Sequence, residues 1–317
     1  MCRAVSAWPI RSSRRIGGDN SIEAIEGEEM TTTDQRGASQ ESIQHHYDVS
    51  NKFYSLWLDA SMTYSCALWD GEADDLATAQ MRKIDYLVAE AGAPGCKRVL
   101  DIGCGWGSLM QRLVAEHGVE HVTGLTLSEA QAHHVKGLAD PRLEVLIRDW
   151  ADFLPGERYD AAISIGAMEH FVKFGWKRSD RVAAYRRFFE ACHQWLNPGA
   201  GLTLQTIGKG NVAMDQQGME DCLFIAEHIF PESDPPRLAE IAHAAEKLFE
   251  IKSVVNHREH YARTCSAWLD RLHGNRNEAV QIVGEEKVSV YERYLAASVR
   301  QFQLEHTNLY RLSLRRV

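Results

Sequence analysis

From residue 98 onward the chain alternates two kinds of segment. Short runs rich in β-branched and other apolar residues, "RVLDIG" (98–103), "HVTGLTLS" (121–128), "RLEVLIRD" (142–149), "YDAAISIG" (159–166) and "AGLTLQTIG" (200–208), are separated by helix-length stretches. Examples are "SLMQRLVAEHG" (108–118), "SEAQAHHVKGL" (128–138) and "DRVAAYRRFFEACHQWL" (180–196). Parallel strands need a crossover long enough to hold a helix, so this rhythm predicts an α/β fold with a mostly parallel sheet covered on both faces. Two later runs, "LFEIKSVVNH" (248–257) and "NLYRLSLRRV" (308–317), complete an expected set of seven strands. Between residues 209 and 246 the rhythm breaks. That segment is helical, carries "FPESDPPR" (230–237), and reads as an insertion between two strands.

The first strand runs into glycines, "VLDIGCGWGSL" (99–109). Gly103, Gly105 and Gly107 follow a strand and open a helix. A missing Cβ there lets a ligand reach the main chain, and the helix N-terminus favours negative groups. A dinucleotide fingerprint, G-x-G-x-x-G, would place its third glycine one residue later than this D-x-G-x-G-x-G. A dinucleotide site also usually closes its second strand on an acid for the ribose hydroxyls, whereas "GLTLSEAQ" offers Thr126 and Gln131. The pattern favours a nucleoside without a pyrophosphate, S-adenosylmethionine. Gly103 and Gly105 would admit its amino-acid part and ribose, and Asp101 would act electrostatically on its ammonium or sulfonium. A nicotinamide dinucleotide, or a bare turn without a ligand, are the alternatives.

Composition bounds the rest. With 317 residues, 44% hydrophobic and 25% charged, the chain suits one large domain or two small ones. A formal net charge of −9 gives no overall basic field for nucleic acid, and an anionic membrane would have to be met by a local patch. No apolar run approaches the roughly 18 residues of a membrane span. Seven cysteines without a C-x-x-C pair read as reduced thiols of a cytosolic protein. The adjacent histidines at 45–46 and 133–134 point to different sides of any regular element, so no metal site is expected. Residues 1–40 are rich in Arg, Ser, Gly and Glu and lack the apolar core of a secretory signal. Arg3, Arg11, Arg14 and Arg15 give them a faint transit-peptide character. They read as a disordered leader, with Met30 as the true start, ahead of one domain at 41–317.

Five stretches carry a resemblance: "HHYDVSNKFYSLWLDASMTYSCALW" (45–69), "LDIGCGWG" (100–107), "GLTLSEAQ" (124–131), "SIGAMEHF" (164–171) and "HYARTCSAWLDRL" (260–272). They occur in the order found in cyclopropane fatty acid synthases and mycolic acid cyclopropane synthases, and from about residue 41 to 317 the chain resembles that family. The resemblance implies a Rossmann-like class I methyltransferase fold, a helical cover at 41–80, S-adenosylmethionine as donor, and a hydrophobic acceptor, by default an unsaturated acyl lipid. It implies that Tyr64 in "TYSC", Gly103, Gly105, Thr126, Leu127, Gln131 and Trp150 in "DW" line the cofactor; Asp101 and Gly107 join them from the glycine turn. It places Cys66, Gly166, Glu169, Ile207 and Tyr261 around the reacting centre, several of them touching a bound bicarbonate that acts as base. Two departures stand out. Gln205 in "LTLQTI" occupies a position where the family's cyclopropane synthases commonly carry histidine, and glutamine can hydrogen-bond an anion but cannot become cationic. "FPESDPPR" replaces the family's "FPGG" and a short apolar stretch, in an insertion that helps cover the substrate.

The chemistry explains the residue types. Methyl transfer to an isolated alkene leaves a carbocation, which must be shielded from water and flanked by negative or π-rich groups. Tyr47, Phe53, Tyr54, Trp57 and Tyr64 are dense enough to supply aromatic faces, or to pack as a core stripe. Val288, Tyr291, Leu295, Val299 and Phe302, near helical spacing in 285–306, pose the same choice between pocket wall and core. Ring closure removes a proton from the new methyl. Glu169, at the end of the fourth strand, could hold an anion, stabilise the cation or take that proton, and Tyr261 could donate to the same anion. Cys66 has no activating motif, so its main chain is expected to act, not its thiol. His170 is expected to be structural. The reading is a C-methyltransferase of the cyclopropane synthase type. Methylation of a small secondary metabolite (prenyl, polyketide or amine), a cofactor-binding protein without catalysis and a nicotinamide oxidoreductase are the alternatives. The sequence leaves open the product, contact with a membrane surface and self-association.

Overall fold

The computed structural model describes residues 37–47 and 50–317, without the side chains of 45–47. The expected leader therefore lies almost wholly outside the described residues, as do the side chains of His45, His46 and Tyr47. All seven expected strands form: β1 (Arg98–Ile102), β2 (His121–Thr126), β3 (Leu143–Ile147), β4 (Tyr159–Ile165), β5 (Leu196–Lys209), β6 (Phe249–Asn256) and β7 (Thr307–Arg316). They make one sheet in the order β3-β2-β1-β4-β5-β7-β6. Strands β1 to β5 pair in parallel, and β7 runs antiparallel to both β5 and β6.

Successive strand residues point to opposite faces, and this splits the core. Val99, Ala161 and Ile163 pack against α3 (Leu76–Glu90), α4 (Ser108–Glu116) and α5 (Glu129–Gly137). Leu100, Ile102 and Ala162 pack on the other side, against α6 (Arg178–Trp195) and α8 (Leu238–Ala245). A third, aromatic core is built from α2 (Asn51–Trp57), α7 (Gln216–His228), α9 (Arg258–Gly274), α10 (Arg276–Val283) and α11 (Glu285–Gln303). A short α1 (Gln40–Tyr47) precedes them. Local chemistry sets several starts. Ser50, Asp75, Ser128 and Asp215 each accept a hydrogen bond from an amide in the first turn of the helix that follows.

The cover is partitioned differently from the sequence reading. The segment 209–246 is not one unit: α7 joins the aromatic core through Phe224, whereas α8 joins the sheet-flanking core through Ile241 and Ala244. A boundary at residue 80 cuts through α3, whose Ile84 and Leu87 belong to the sheet layer. The largest part of the cover, α9 to α11, lies between β6 and β7 in the chain.

The acids of "FPESDPPR" are held internally. Glu232 pairs with Lys173 (3.0 Å) and accepts from the Ser39 amide (2.9 Å). Asp234 pairs with Arg181 of α6 and with Lys209 of β5 (2.6 Å). Arg181 also grips Glu240 of α8 through two 3.0 Å hydrogen bonds and donates to the Pro235 carbonyl (2.9 Å). The Arg181, Asp234 and Glu240 side chains are 6%, 8% and 3% exposed. Arg181→Met would leave two buried carboxylates facing one lysine, at a cost of about 3–5 kcal/mol. Calorimetry should show a fall in Tm on the order of 10 °C. Lys209→Met should cost clearly less, because that ammonium is 32% exposed.

Candidate active site

Strands β1 and β4 are neighbours, yet the chain leaves them towards opposite edges of the sheet. Ligands of open α/β sheets gather at such a point, beyond the carboxyl ends of the strands. The glycine turn leaves β1 there and residues 166–171 leave β4. The Gly103 and Cys104 amides both donate to the Leu125 carbonyl (3.0 and 2.9 Å), which folds the turn back on β2. The three glycines are bare for different reasons. A Cβ on Gly107 would lie 2.9 Å from Val135 of α5, and one on Gly103 would lie 3.0 Å from the Ala167 Cβ. Around Gly105 (φ +54°) a Cβ would meet nothing within 4 Å, and the same holds at Gly166 (φ +70°). All three have a left-handed backbone; packing adds a second reason for Gly103 and Gly107, whereas the space beside Gly105 is open.

Asp101 is 1% exposed, and neither carboxylate oxygen has a hydrogen-bond partner. Burial pushes it up to about 7, against the pull of Lys83. An orphaned carboxyl below an open glycine turn suits a cationic ligand, so this corner fits S-adenosylmethionine. At the end of β2, Thr126 Oγ1 donates to Gln131 Oε1 (2.7 Å) and Ser128 accepts from the Gln131 amide (3.1 Å). Leu127 offers its carbonyl to Gln44 (3.3 Å). Trp150, in a 3-10 turn after β3, packs on Phe171 and Phe188 with ring centroids 5.0 and 5.4 Å away. The expected cofactor residues on the sheet therefore line the ends of three neighbouring strands.

Residues 63–67 bring the "TYSC" stretch to this crevice, and buried side chains fix them. Gln80 Nε2 donates to the Thr63 and Ser65 carbonyls (3.2 and 2.8 Å), and Lys83 Nζ to Ser65 Oγ (2.8 Å). Thr264 Oγ1 accepts from the Ala67 amide (3.1 Å). Thr63 Oγ1 reaches Ser108 Oγ at the start of α4 (2.9 Å). Tyr64 packs on Trp57 and Trp268 (both 5.2 Å) and donates to the Tyr294 hydroxyl (2.9 Å). The Cys66 thiol is fully buried, and burial pushes it up to about 11, so it is no thiolate at neutral pH.

Glu169 stands in a 3-10 turn after β4, 7% exposed. Its Oε1 accepts from the Ile207 amide (2.6 Å) and its Oε2 has no partner. Burial pushes it up to about 7 despite the Ile207 N–H. The Gly166 amide donates to the Gln205 carbonyl (2.8 Å), so Gly166, Glu169, Gln205 and Ile207 meet at the adjoining ends of β4 and β5. Tyr261, in the first turn of α9, stacks on Phe302 at 4.5 Å. Burial drives its phenol well above the ordinary value, helped by Tyr294, Cys265, Cys66 and Glu169 around it. His170 bonds Ser233 of "FPESDPPR" (2.6 Å), and the Asp234 amide donates to the Glu169 carbonyl (3.1 Å). That loop therefore braces the Glu169 turn. The sequence reading missed Gln80, Lys83 and Arg311; the last donates to Gln205 Oε1 (2.7 Å) and to the Cys66 and Ala67 carbonyls (both 3.1 Å). No cluster of His, Cys, Asp and Glu among the described residues could hold a metal.

Residues 34–312 match the family described as mycolic acid cyclopropane synthetase. The cyclopropane mycolic acid synthase MmaA2 of Mycobacterium tuberculosis is 36% identical over 288 residues, 86% of this chain and 96% of that one. Cyclopropane mycolic acid synthase 3 of the same species is 34% identical over 290 residues, with the same coverage of both chains. The structure of MmaA2 superposes with a TM-score of 0.81 at 33% identity, covering 88% of this chain and 99% of that one. CmaA1 complexed with SAH and CTAB gives 0.81 at 31% identity, covering 89% and 100%. Coclaurine N-methyltransferase, 18% identical with a TM-score of 0.70 over 87% of this chain and 84% of that one, shares the fold.

A methyl group on Gly105 meets no protein atom, so Gly105→Ala should cost only the left-handed backbone penalty of about 1–2 kcal/mol. It should nonetheless weaken S-adenosylhomocysteine at least tenfold in calorimetric titration, a loss of about 1.4 kcal/mol. Unchanged affinity would move the cofactor away from this turn.

Proposed function

The chain belongs to the mycolic acid cyclopropane synthetase family of S-adenosylmethionine-dependent methyltransferases, and on that premise we propose that it adds a methyl carbon to the alkene of an unsaturated acyl lipid and closes a cyclopropane ring. The observation that carries the reading is Glu169: a buried carboxylate, half satisfied, at the mouth of the glycine crevice and beneath an aromatic cover.

Bound S-adenosylmethionine supplies an electrophilic methyl on a positively charged sulfur. Asp101, Gly103, Gly105, Gly107, Thr126, Leu127, Gln131, Trp150 and Tyr64 are the residues we assign to hold it. The cover formed by α2, α7 and α9–α11 excludes water, and Tyr64, Trp268 and Tyr261 offer π-faces to the cation that forms on the acceptor. Glu169 balances that charge and holds or takes the proton released on ring closure. A bicarbonate fits beside it: its hydroxyl suits the partnerless Glu169 Oε2, and its oxygens suit the Gln205 amide, the Tyr261 hydroxyl and the Cys66 main chain, adding a basic oxygen. Nothing favours a small soluble acceptor, since the acids of "FPESDPPR" are spent on Lys173, Arg181 and Lys209. No helix among the described residues is long and apolar enough to cross a membrane. We place the enzyme in the cytoplasm, meeting its lipid at a membrane surface or on a carrier.

Purified protein given methyl-labelled donor should place label in unsaturated phospholipid or acyl chains and add the mass of one CH2, with loss of the alkene. Label found only in soluble prenyl or amine acceptors would overturn the reading. The acting form of Glu169 is the carboxylate, and burial sets its pKa at about 7. Turnover should therefore fall as pH drops through that value and level off above it. In the ligand-free protein the same burial favours the protonated form, so stability should decline as pH rises from the usual carboxylate range through 7. Glu169→Gln should remove the acidic limb and lower kcat on the order of a hundredfold with S-adenosylhomocysteine affinity kept.

A further inference from the structure

Arg311 lies on β7 directly opposite Gln205 of β5 and is 1% exposed. A buried guanidinium ordinarily faces a carboxylate. This one faces none. Its Nε donates to Gln205 Oε1 (2.7 Å), its Nη1 to His257 Nδ1 (2.9 Å), and its Nη2 to the Cys66 and Ala67 carbonyls. The Tyr86 ring lies 6.0 Å away, and Cys66 Sγ 3.7 Å away. The titratable groups packed around it are neutral or positive: Tyr86 and Lys83 from α3, His257 and His260 from the turn into α9, and Cys66. Burial and the neighbouring Arg311 push His257 down to about 4, and burial holds the Cys66 thiol up. The carboxylates Asp59 and Asp101 act on Lys83, not on Arg311. An uncompensated positive charge therefore sits behind the ends of β5 and β7.

The glutamine amide transmits it. Arginine can only donate, so the Gln205 oxygen is the atom facing Arg311, and the amide NH2 turns the other way. That NH2 has no acceptor among the described residues. On the far side of β5 from Arg311 lies β4, whose end carries Gly166 and Glu169.

We propose that Arg311 and Gln205 act as a pair, the guanidinium fixing and polarising the amide so that Gln205 presents an N–H donor to a bicarbonate held beside Glu169. Arg311 is a positioning residue here. It stands in for the charge that a histidine at position 205 would carry, one residue further back. The inference rests on the anion included in the proposed function.

Carbon-13 bicarbonate line-broadening on the protein saturated with S-adenosylhomocysteine reads the binding directly. Gln205→Met and Arg311→Met should each weaken bicarbonate at least about tenfold, the size expected for one hydrogen bond to a charged group. The double variant should lose clearly less than the two single losses combined, because Arg311 acts largely through the amide. Arg311→Lys should recover part of the loss. Gln205→Glu should pair with the guanidinium, raise Tm and abolish bicarbonate binding. S-adenosylhomocysteine affinity should stay unchanged in Gln205→Met and Gln205→Glu, which separates their effects from a damaged fold. Unchanged bicarbonate affinity in Arg311→Met, or losses that add in the double variant, would overturn the pair. If Arg311→Met does not fold, Gln205→Glu decides: retained bicarbonate binding refutes the proposal. Wild type that binds S-adenosylhomocysteine but no bicarbonate also refutes it, while methyl transfer to lipid is judged by its own assay.

Discussion

The site depends on how the main chain at residues 63–67 is held. This segment belongs to no helix or strand, so its peptide groups have no ladder to satisfy them. Gln80, Thr264 and Arg311 do so instead, from α3, α9 and β7; Lys83 holds the Ser65 hydroxyl, and Ser108 ties the segment to the helix that opens at the glycine turn. Burying an amide, an ammonium and a guanidinium is costly unless each meets acceptors; carbonyls of this loop serve Gln80 and Arg311, and the Ser65 hydroxyl serves Lys83. The loop and the polar residues beneath it thus require each other. Since they come from both the sheet layer and the aromatic cover, the loop also fixes how the cover is seated over the crevice.

The charges follow from that arrangement. A carbocation and a buried arginine are poor neighbours in a medium of low dielectric. Here the guanidinium is faced by the negative ends of three dipoles: the Gln205 amide and the Cys66 and Ala67 carbonyls. In the proposed pairing, what is turned away from Arg311 is the positive end of an amide, which attracts an anion while the larger charge stays behind the dipoles. Glu169 lies on the β4 side with one oxygen committed to the Ile207 amide and one free. With the amide so turned, a donor and an acceptor would both face the proposed anion, a combination that suits a group able both to accept and to donate a proton.

The fold was legible to the degree that its signals are local. Seven apolar runs and the glycine turn between β1 and α4 depend on neighbours in sequence, and the strands and helices form at those places. The residues that meet at the ends of β4 and β5 were legible only through family motifs, because their approach is set by sheet order. Arg311 illustrates the limit. In "NLYRLSLRRV" it alternates with leucines as on a half-exposed strand, but β7 lies inside the sheet between β5 and β6, with both faces covered. Gln80 and Lys83 share the helical spacing of Ile84 and Leu87, yet their polarity marks them as surface residues until the loop they serve is known. "FPESDPPR" misled for a similar reason: its acids are answered by Lys173, Arg181 and Lys209, all earlier in the chain, and no local pattern announces those partners.

The choice between core stripe and pocket wall for the aromatic residues does not have to be made. Phe53, Tyr54 and Trp57 are fully buried and pack edge to face with Tyr291 and Trp268, so they are core by any measure. The same cluster reaches Tyr64, Phe302 and Tyr261, the last of them close to Glu169. A cation in such a place is endangered by any free lone pair, which would capture it. The phenols of the cover are tied in pairs: the Tyr54 and Tyr291 hydroxyls lie 2.9 Å apart, as do those of Tyr64 and Tyr294. Each hydrogen bond fixes where its two oxygens lie, so that neither phenol is loose to swing towards the acceptor. The first pairing requires α2 to keep its register with α11, and the second requires residues 63–67 to keep theirs; close packing provides both. The wall can be safe for a cation because it is also core.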